Sequence, residues 1–74
     1  ELTKNEFRIL QVLMEKKGSV ISRDLLMTKL WETDSYVDDN TLTVNVTRLR
    51  KKLEDVGLVQ FITTKKGMGY LIEE

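Results

Sequence analysis

Apolar residues along the chain follow two rhythms, and each predicts an element. Phe7, Leu10, Leu13 and Met14 recur at helical spacing, with Ile9 and Val12 widening the stripe, which predicts a first helix buried on more than one side. Thr3-Lys4-Asn5-Glu6 opens it as a capping box, in which Thr and Glu each satisfy an orphan amide. Lys16 and Lys17 suit its negative end, Gly18 stops it, and Leu2 reads as the end of a strand or an entry segment. Ser19-Val20-Ile21 is short and β-branched, so one short strand is expected there. Ser22 can cap a second helix over residues 23–31, with Leu25, Leu26, Leu30 and Trp31 as its apolar side. Residues 33–39 are polar and acidic and read as a loop. Asp38 or Asp39 then caps a third helix over residues 40–54, which Gly57 ends. Residues 59–64 and 70–72 are strand-like, and Lys65-Lys66-Gly67-Met68-Gly69 joins them as a hairpin tip.

Helix, strand, helix, helix and hairpin make an α+β winged helix-turn-helix: three helices, a short strand after the first, and a C-terminal β-hairpin wing. The third helix carries the chemistry. Placed at ~100° per residue, Leu42, Val46, Leu49 and Leu53 form one tight stripe, and Asn40, Val44, Thr47, Arg48 and Lys51 lie closest to the opposite direction. Thr41, Asn45 and Lys52 flank that outward face on one side, Thr43 and Arg50 on the other. No acid occurs between Asn40 and Lys52. Val44, Asn45, Thr47 and Arg48 can match base edges: Arg suits guanine, Asn suits adenine, and an apolar group suits the thymine methyl. Arg50, Lys51 and Lys52 lie where phosphates would be met. A helix of this composition is also compatible with a plain solvated surface, and a Lys/Gly hairpin tip with an ordinary turn. The two together favour a duplex.

The bulk composition narrows the classes. Seventy-four residues allow one domain, and 41% hydrophobic content places it among globular chains. With no Cys and no His, disulfide staples, the usual zinc sites and histidine-based triads are excluded, and no cofactor is expected. The absence of an acid/base constellation makes an enzyme the least expected class. No run approaches a membrane span. The formal charge is zero, but it is unevenly spread: residues 1–40 hold six Lys/Arg against eight Asp/Glu, residues 41–70 six against two. The positive part coincides with the third helix and the wing.

Other positions keep two readings each. Arg23 opens the second helix, where a cation and amide groups together favour an anion, and reads equally as an ordinary exposed Arg. Lys65 and Lys66 can reach phosphates or a minor groove, and Thr64 and Tyr70 can add hydroxyl contacts, unless the Tyr70 ring packs inside. Trp31 belongs to the core or offers its indole N–H to a phosphate. The acidic loop with Tyr36 suits a protein partner, or only helix capping.

"LTKNEFRIL…VISRDLL…LW", "DDNTLTVNVTRLRKKLE" and "FITTKKGMGYLI" resemble the winged-helix effector domain of OmpR/PhoB-type response regulators over nearly the whole chain. The resemblance implies an output domain that binds direct DNA repeats as a tandem dimer and regulates transcription after receiver phosphorylation (a phosphorelay), in the bacterial cytoplasm, with the third helix in the major groove and the wing on the minor groove. By position it implies base contacts from Val44, Asn45, Thr47 and Arg48, and phosphate contacts from Arg23, Thr41, Arg50 and Lys51. Lys66 falls at the wing's groove-reaching position, where relatives often carry Arg. Residues 32–39, with Asp34, Tyr36 and Asp38, match the segment the family turns toward RNA polymerase. The implied partners are therefore duplex DNA, RNA polymerase and the receiver domain of the same chain, with no membrane and no small-molecule ligand. The family's N-terminal four-stranded sheet is missing, and the chain starts with Glu1 rather than Met, so a fragment of a longer receiver–effector chain is expected, with Phe7 and its neighbours short of cover. "NTLTVNV", "GL" and "TKKGMGYLI" resemble the Gram-positive branch that responds to bacitracin and cationic antimicrobial peptides, which adds antibiotic resistance to the expectation. The alternative is a winged-helix protein–protein interaction module, since the same fold also serves as a docking surface.

Overall fold

A computed structural model describes residues 1–33 and 36–73. Its elements are α1 (Lys4–Glu15), α2 (Arg23–Trp31), α3 (Asp39–Asp55), β1 (Thr63–Lys65) and β2 (Gly69–Leu71). The capping box of α1 is complete: the Glu6 amide donates to Thr3 Oγ1 at 3.2 Å and the Thr3 amide to Glu6 Oε1 at 2.9 Å. Ser22 caps α2 by accepting from the Leu25 amide, and Asp38, rather than Asp39, caps α3 by accepting from the Thr41 amide at 2.8 Å. The Thr41 amide and hydroxyl hold the Asp38 carboxyl below its ordinary value. At the far end of α3, Leu58 N donates to Leu53 O and Gly57 N to Glu54 O, both at 2.9 Å, with Gly57 at φ +92°. This is a Schellman stop, and Gly adopts the left-handed turn without a Cβ penalty.

The three helices enclose a single apolar core. Ile9, Val12 and Leu13 come from α1, Leu26 and Leu30 from α2, and Leu42, Val46, Leu49 and Leu53 from α3; Ile21, Val37, Ile62, Tyr70 and Ile72 close it from the loops and the hairpin. The outer faces of α1 and α2 are less covered than their periodicity predicts. Phe7 is 58% exposed and Met14 46%, and Leu25 and Trp31 are also exposed. The shortage of cover anticipated around Phe7 is thus present in the structure, and α1 is buried on one side only.

The hairpin is antiparallel, with Thr63 opposite Leu71, Thr64 opposite Tyr70 and Lys65 opposite Gly69. It is shorter than expected. Residues 59–62 are not strand, because Gln60 lies at φ +56° and no neighbouring strand among the described residues offers them a ladder. The short strand expected at Ser19-Val20-Ile21 reduces to one bridge pair: Ile21 and Tyr70 exchange both backbone bonds, at 2.8 and 3.0 Å. That bridge seats the wing on the segment entering α2. Gly69 makes the approach feasible, since its φ is +150° and a Cβ there would lie 2.1 Å from Ile21 O.

Candidate nucleic-acid interface

Burying Leu42, Val46, Leu49 and Leu53 forces the opposite side of α3 outward. Val44 is 44% exposed, and Thr41, Thr47, Arg48 and Lys51 are exposed as well. Val44, Thr47 and Arg48 have no polar or ionic partner among the described residues, so a guanidinium and a hydroxyl point into solvent beside an apolar group. Lys51 has only an exposed pairing with Asp55 at 3.5 Å, which water screens heavily. At the wing, Lys65 and Lys66 are exposed and without an ion-pair partner among the described residues, and Met68 is exposed between them and Gly69.

Three expected contact residues are committed inside the molecule. Asn45 is only 8% exposed, and its Nδ2 donates to the Thr41 carbonyl at 2.8 Å. At ~100° per residue it lies roughly 70° from the centre of the apolar stripe, nearer the core than the outward direction, so the expectation that it belongs to the open face is corrected. Lys52, expected among the phosphate contacts, instead reaches α1: its Nζ donates to Glu6 Oε1 at 2.7 Å and to Glu1 O at 3.1 Å. Arg23 is not an open anion site either. Its Nε meets Asp39 Oδ1 at 3.1 Å, Nη2 donates to Asp39 O and Thr43 Oγ1 at 2.7 Å each, and Nη1 donates to the Tyr70 hydroxyl at 2.7 Å. No local pattern in the sequence links Asp39 and Thr43 to Arg23, from which they lie 16 and 20 positions away.

Arg50 and Thr64, both expected at phosphates, are hydrogen-bonded to each other, Arg50 Nη2 donating to Thr64 Oγ1 at 2.6 Å. The bond ties the C-terminal half of α3 to β1. Thr64 accepts in it, so its hydroxyl proton is still available to donate. Tyr70 is buried with its ring in the core and its hydroxyl on Arg23, which resolves its two readings toward packing. Trp31 is half exposed, stacks on Tyr36 with centroids 5.6 Å apart, and donates its indole N–H to Val37 O at 3.2 Å. Its indole N–H is therefore not offered to a phosphate. Tyr36 is 81% exposed. Asp38 is the α3 cap, and Asp34 lies outside the described residues.

Glu6 is the least solvated acid described, at 1% exposure. Burial pushes its carboxyl up, but the Lys52 hydrogen bond, the Thr3 amide and the Lys52 charge together hold it below its ordinary value. No cluster of three or more candidate metal-ligating side chains occurs among the described residues, and no described helix is long and apolar enough to cross a membrane.

A helix-turn-helix pair whose second helix presents an uncovered face, free of acids from Asn40 to Lys52, beside a basic hairpin is the design of a winged-helix protein. The family model "Transcriptional regulatory protein, C terminal" matches residues 1–72, and the chain belongs to that family. The chain is similar to the sensory transduction protein BceR of Halalkalibacterium halodurans, with 53% identity over all 74 of its residues, and spans 32% of that relative's length. Among solved structures, it resembles the C-terminal domain of the lantibiotic response regulator NsrR, a nisin resistance regulator (45% identity, TM-score 0.89, 99% of this chain and 74% of that one). It also resembles the DNA-binding domain of the response regulator AdeR, solved with an intercistronic region (30% identity, TM-score 0.87, all of this chain and 74% of that one).

Proposed function

We propose that this chain binds double-stranded DNA sequence-specifically and regulates transcription as the output domain of a two-component response regulator, being part of a longer receiver–effector chain. One observation carries the reading: the uncovered face of α3 and the lysine tip of the wing are joined directly by the Arg50–Thr64 bond, so both can meet one duplex at a fixed separation. Val44, Thr47 and Arg48 read base edges in the major groove, where Arg pairs with guanine and Val packs on a thymine methyl. Thr41, Lys51 and the Thr64 hydroxyl hold phosphates, and Lys65 and Lys66 lie on the minor groove or its backbone. Asn45 supports the helix rather than reading bases. The reading assigns the chain no enzymatic activity and places it in the cytoplasm, bound to direct repeats as a tandem dimer. The exposed Tyr36 and its loop face RNA polymerase. By its likeness to the nisin resistance regulator, the regulated genes answer antimicrobial peptides.

Selection of sites from random duplex DNA, followed by salt titration on the recovered site, tests the reading. Enrichment of one motif is expected, with log Kobs falling against log [salt] by about 0.9 per phosphate neutralised. Lack of any enriched motif, together with no duplex binding at low salt, would favour the protein-docking module instead.

A further inference from the structure

We propose that Arg23 is a positioning residue, which holds the first turns of α3 and the wing strand β2 at one separation and thereby sets the spacing of base pairs they can read together. The proposal rests on the reading that α3 and the wing share a duplex. The guanidinium uses four of its five N–H donors inside the protein, and they go to three places. Two reach Asp39, at its carboxylate and its carbonyl, one reaches Thr43 a turn later on α3, and one reaches Tyr70 on β2. An arginine poised for phosphate would leave its fork open.

The partners are themselves held. Thr43 Oγ1 donates to Asp39 O at 3.3 Å, so its lone pair is turned to Arg23. Tyr70 is anchored from the other side by its backbone bridge to Ile21, and the guanidinium carbon lies 5.8 Å from its ring centroid. Arg23 itself starts α2. One planar group therefore registers all three elements that meet at the interface: the turn-side helix, the start of the reading helix and the wing. The exposed Arg23–Asp39 ion pair on its own would contribute little. What a lysine cannot reproduce is the rigid fork, because its ammonium is a point charge on a flexible stem.

Two conservative variants of the present chain separate positioning from phosphate contact: Arg23→Lys, which keeps the charge, and Tyr70→Phe, which removes one hydrogen bond and keeps the packed ring. The first measurement needs no DNA. Residual dipolar couplings should show the orientation of the hairpin relative to α3 changed or averaged in both variants, with each element's internal couplings retained. The second compares the selected site with random duplex. Discrimination should fall about tenfold in Arg23→Lys, the equivalent of one lost charge-assisted hydrogen bond, with the salt slope unchanged. Wild-type couplings and discrimination in Arg23→Lys would overturn the proposal. So would a loss equal on all sequences with a shallower slope in Arg23→Ala, the mark of a phosphate ligand. If the unmodified chain binds no duplex, the DNA reading fails, and the couplings decide the positioning role by themselves. Should Arg23→Lys not fold, the couplings of Tyr70→Phe decide it.

Discussion

Arg48 and Lys52 lie one turn apart on α3, both cations on a helix segment without acids, yet the structure treats them differently. Arg48 projects past the helix with no partner among the described residues, while Lys52 is turned under α1 onto the buried Glu6 carboxylate. The same division runs through the whole basic region. Arg23, Arg50 and Lys52 are tied to protein groups, whereas Arg48, Lys65 and Lys66 are open. The difference comes from what packs nearby: α1 covers the C-terminal half of α3 on one side, and the hairpin closes on it from the other. A count of Lys and Arg therefore overstates the surface available to a polyanion. The tied cations build the shape, and the open ones are left to meet a ligand.

Substitutions can break this division, and the largest effect is expected where the wing is seated. In Gly69→Ala the new Cβ would overlap Ile21 O at 2.1 Å in a backbone conformation that L residues rarely adopt, so a loss of about 3 kcal/mol or more is expected by thermal or denaturant unfolding. Near-wild-type stability would show that the bridge to Ile21 is not needed to hold the hairpin.

Next is the tied pair under α1. Glu6→Gln leaves Lys52 without its counter-charge, and about 2–3 kcal/mol of stability should go, less than for a fully buried pair because Lys52 is partly solvated. The pH dependence has a definite sign. The folded Glu6 carboxyl is held below its ordinary value of 4.5, so its contribution is present above that pH and fades as pH falls through the lower folded value. Urea titrations from pH 7 down to pH 3 should show a steeper decline for the unmodified chain than for Glu6→Gln. Parallel curves would mean that Glu6 is not the group responsible.

Arg48→Ala probes the open set. Folding stability should stay within about 0.5 kcal/mol, while affinity for the selected site falls by about 1–3 kcal/mol and preference relaxes at one base pair. An equal loss on every sequence would reassign Arg48 to a phosphate. Lys66→Ala should have the smallest effect, below about 1 kcal/mol and uniform across sequences, with the salt slope shallower by about 0.9. A slope left unchanged would take the wing out of the interface.

Much of the fold was legible because its signals act over three or four residues. The Thr3–Glu6 box, the Ser22 and Asp38 caps, the Gly57 stop and the leucine stripe of α3 are each local, and each occurs where its pattern predicts. Residues 59–62 misled for the same reason: their β-branched and aromatic composition favours a strand, but a strand also needs a neighbour, and none is there among the described residues. The outward face of α3 could be drawn from periodicity alone, which placed Val44, Thr47 and Arg48 correctly in the open and Asn45 too generously.

The amino-acid order by itself determined the elements, their caps and the direction in which α3 turns its uncovered side, since these depend on neighbours a turn away. Which cations are tied to protein groups was decided only on closure. Arg23 meets Tyr70 across 47 positions, Lys52 meets Glu6 across 46, and Arg50 meets Thr64 across 14. Hydrogen bonds act over about 3 Å, and only the packed core brings residues so distant in the chain within that reach.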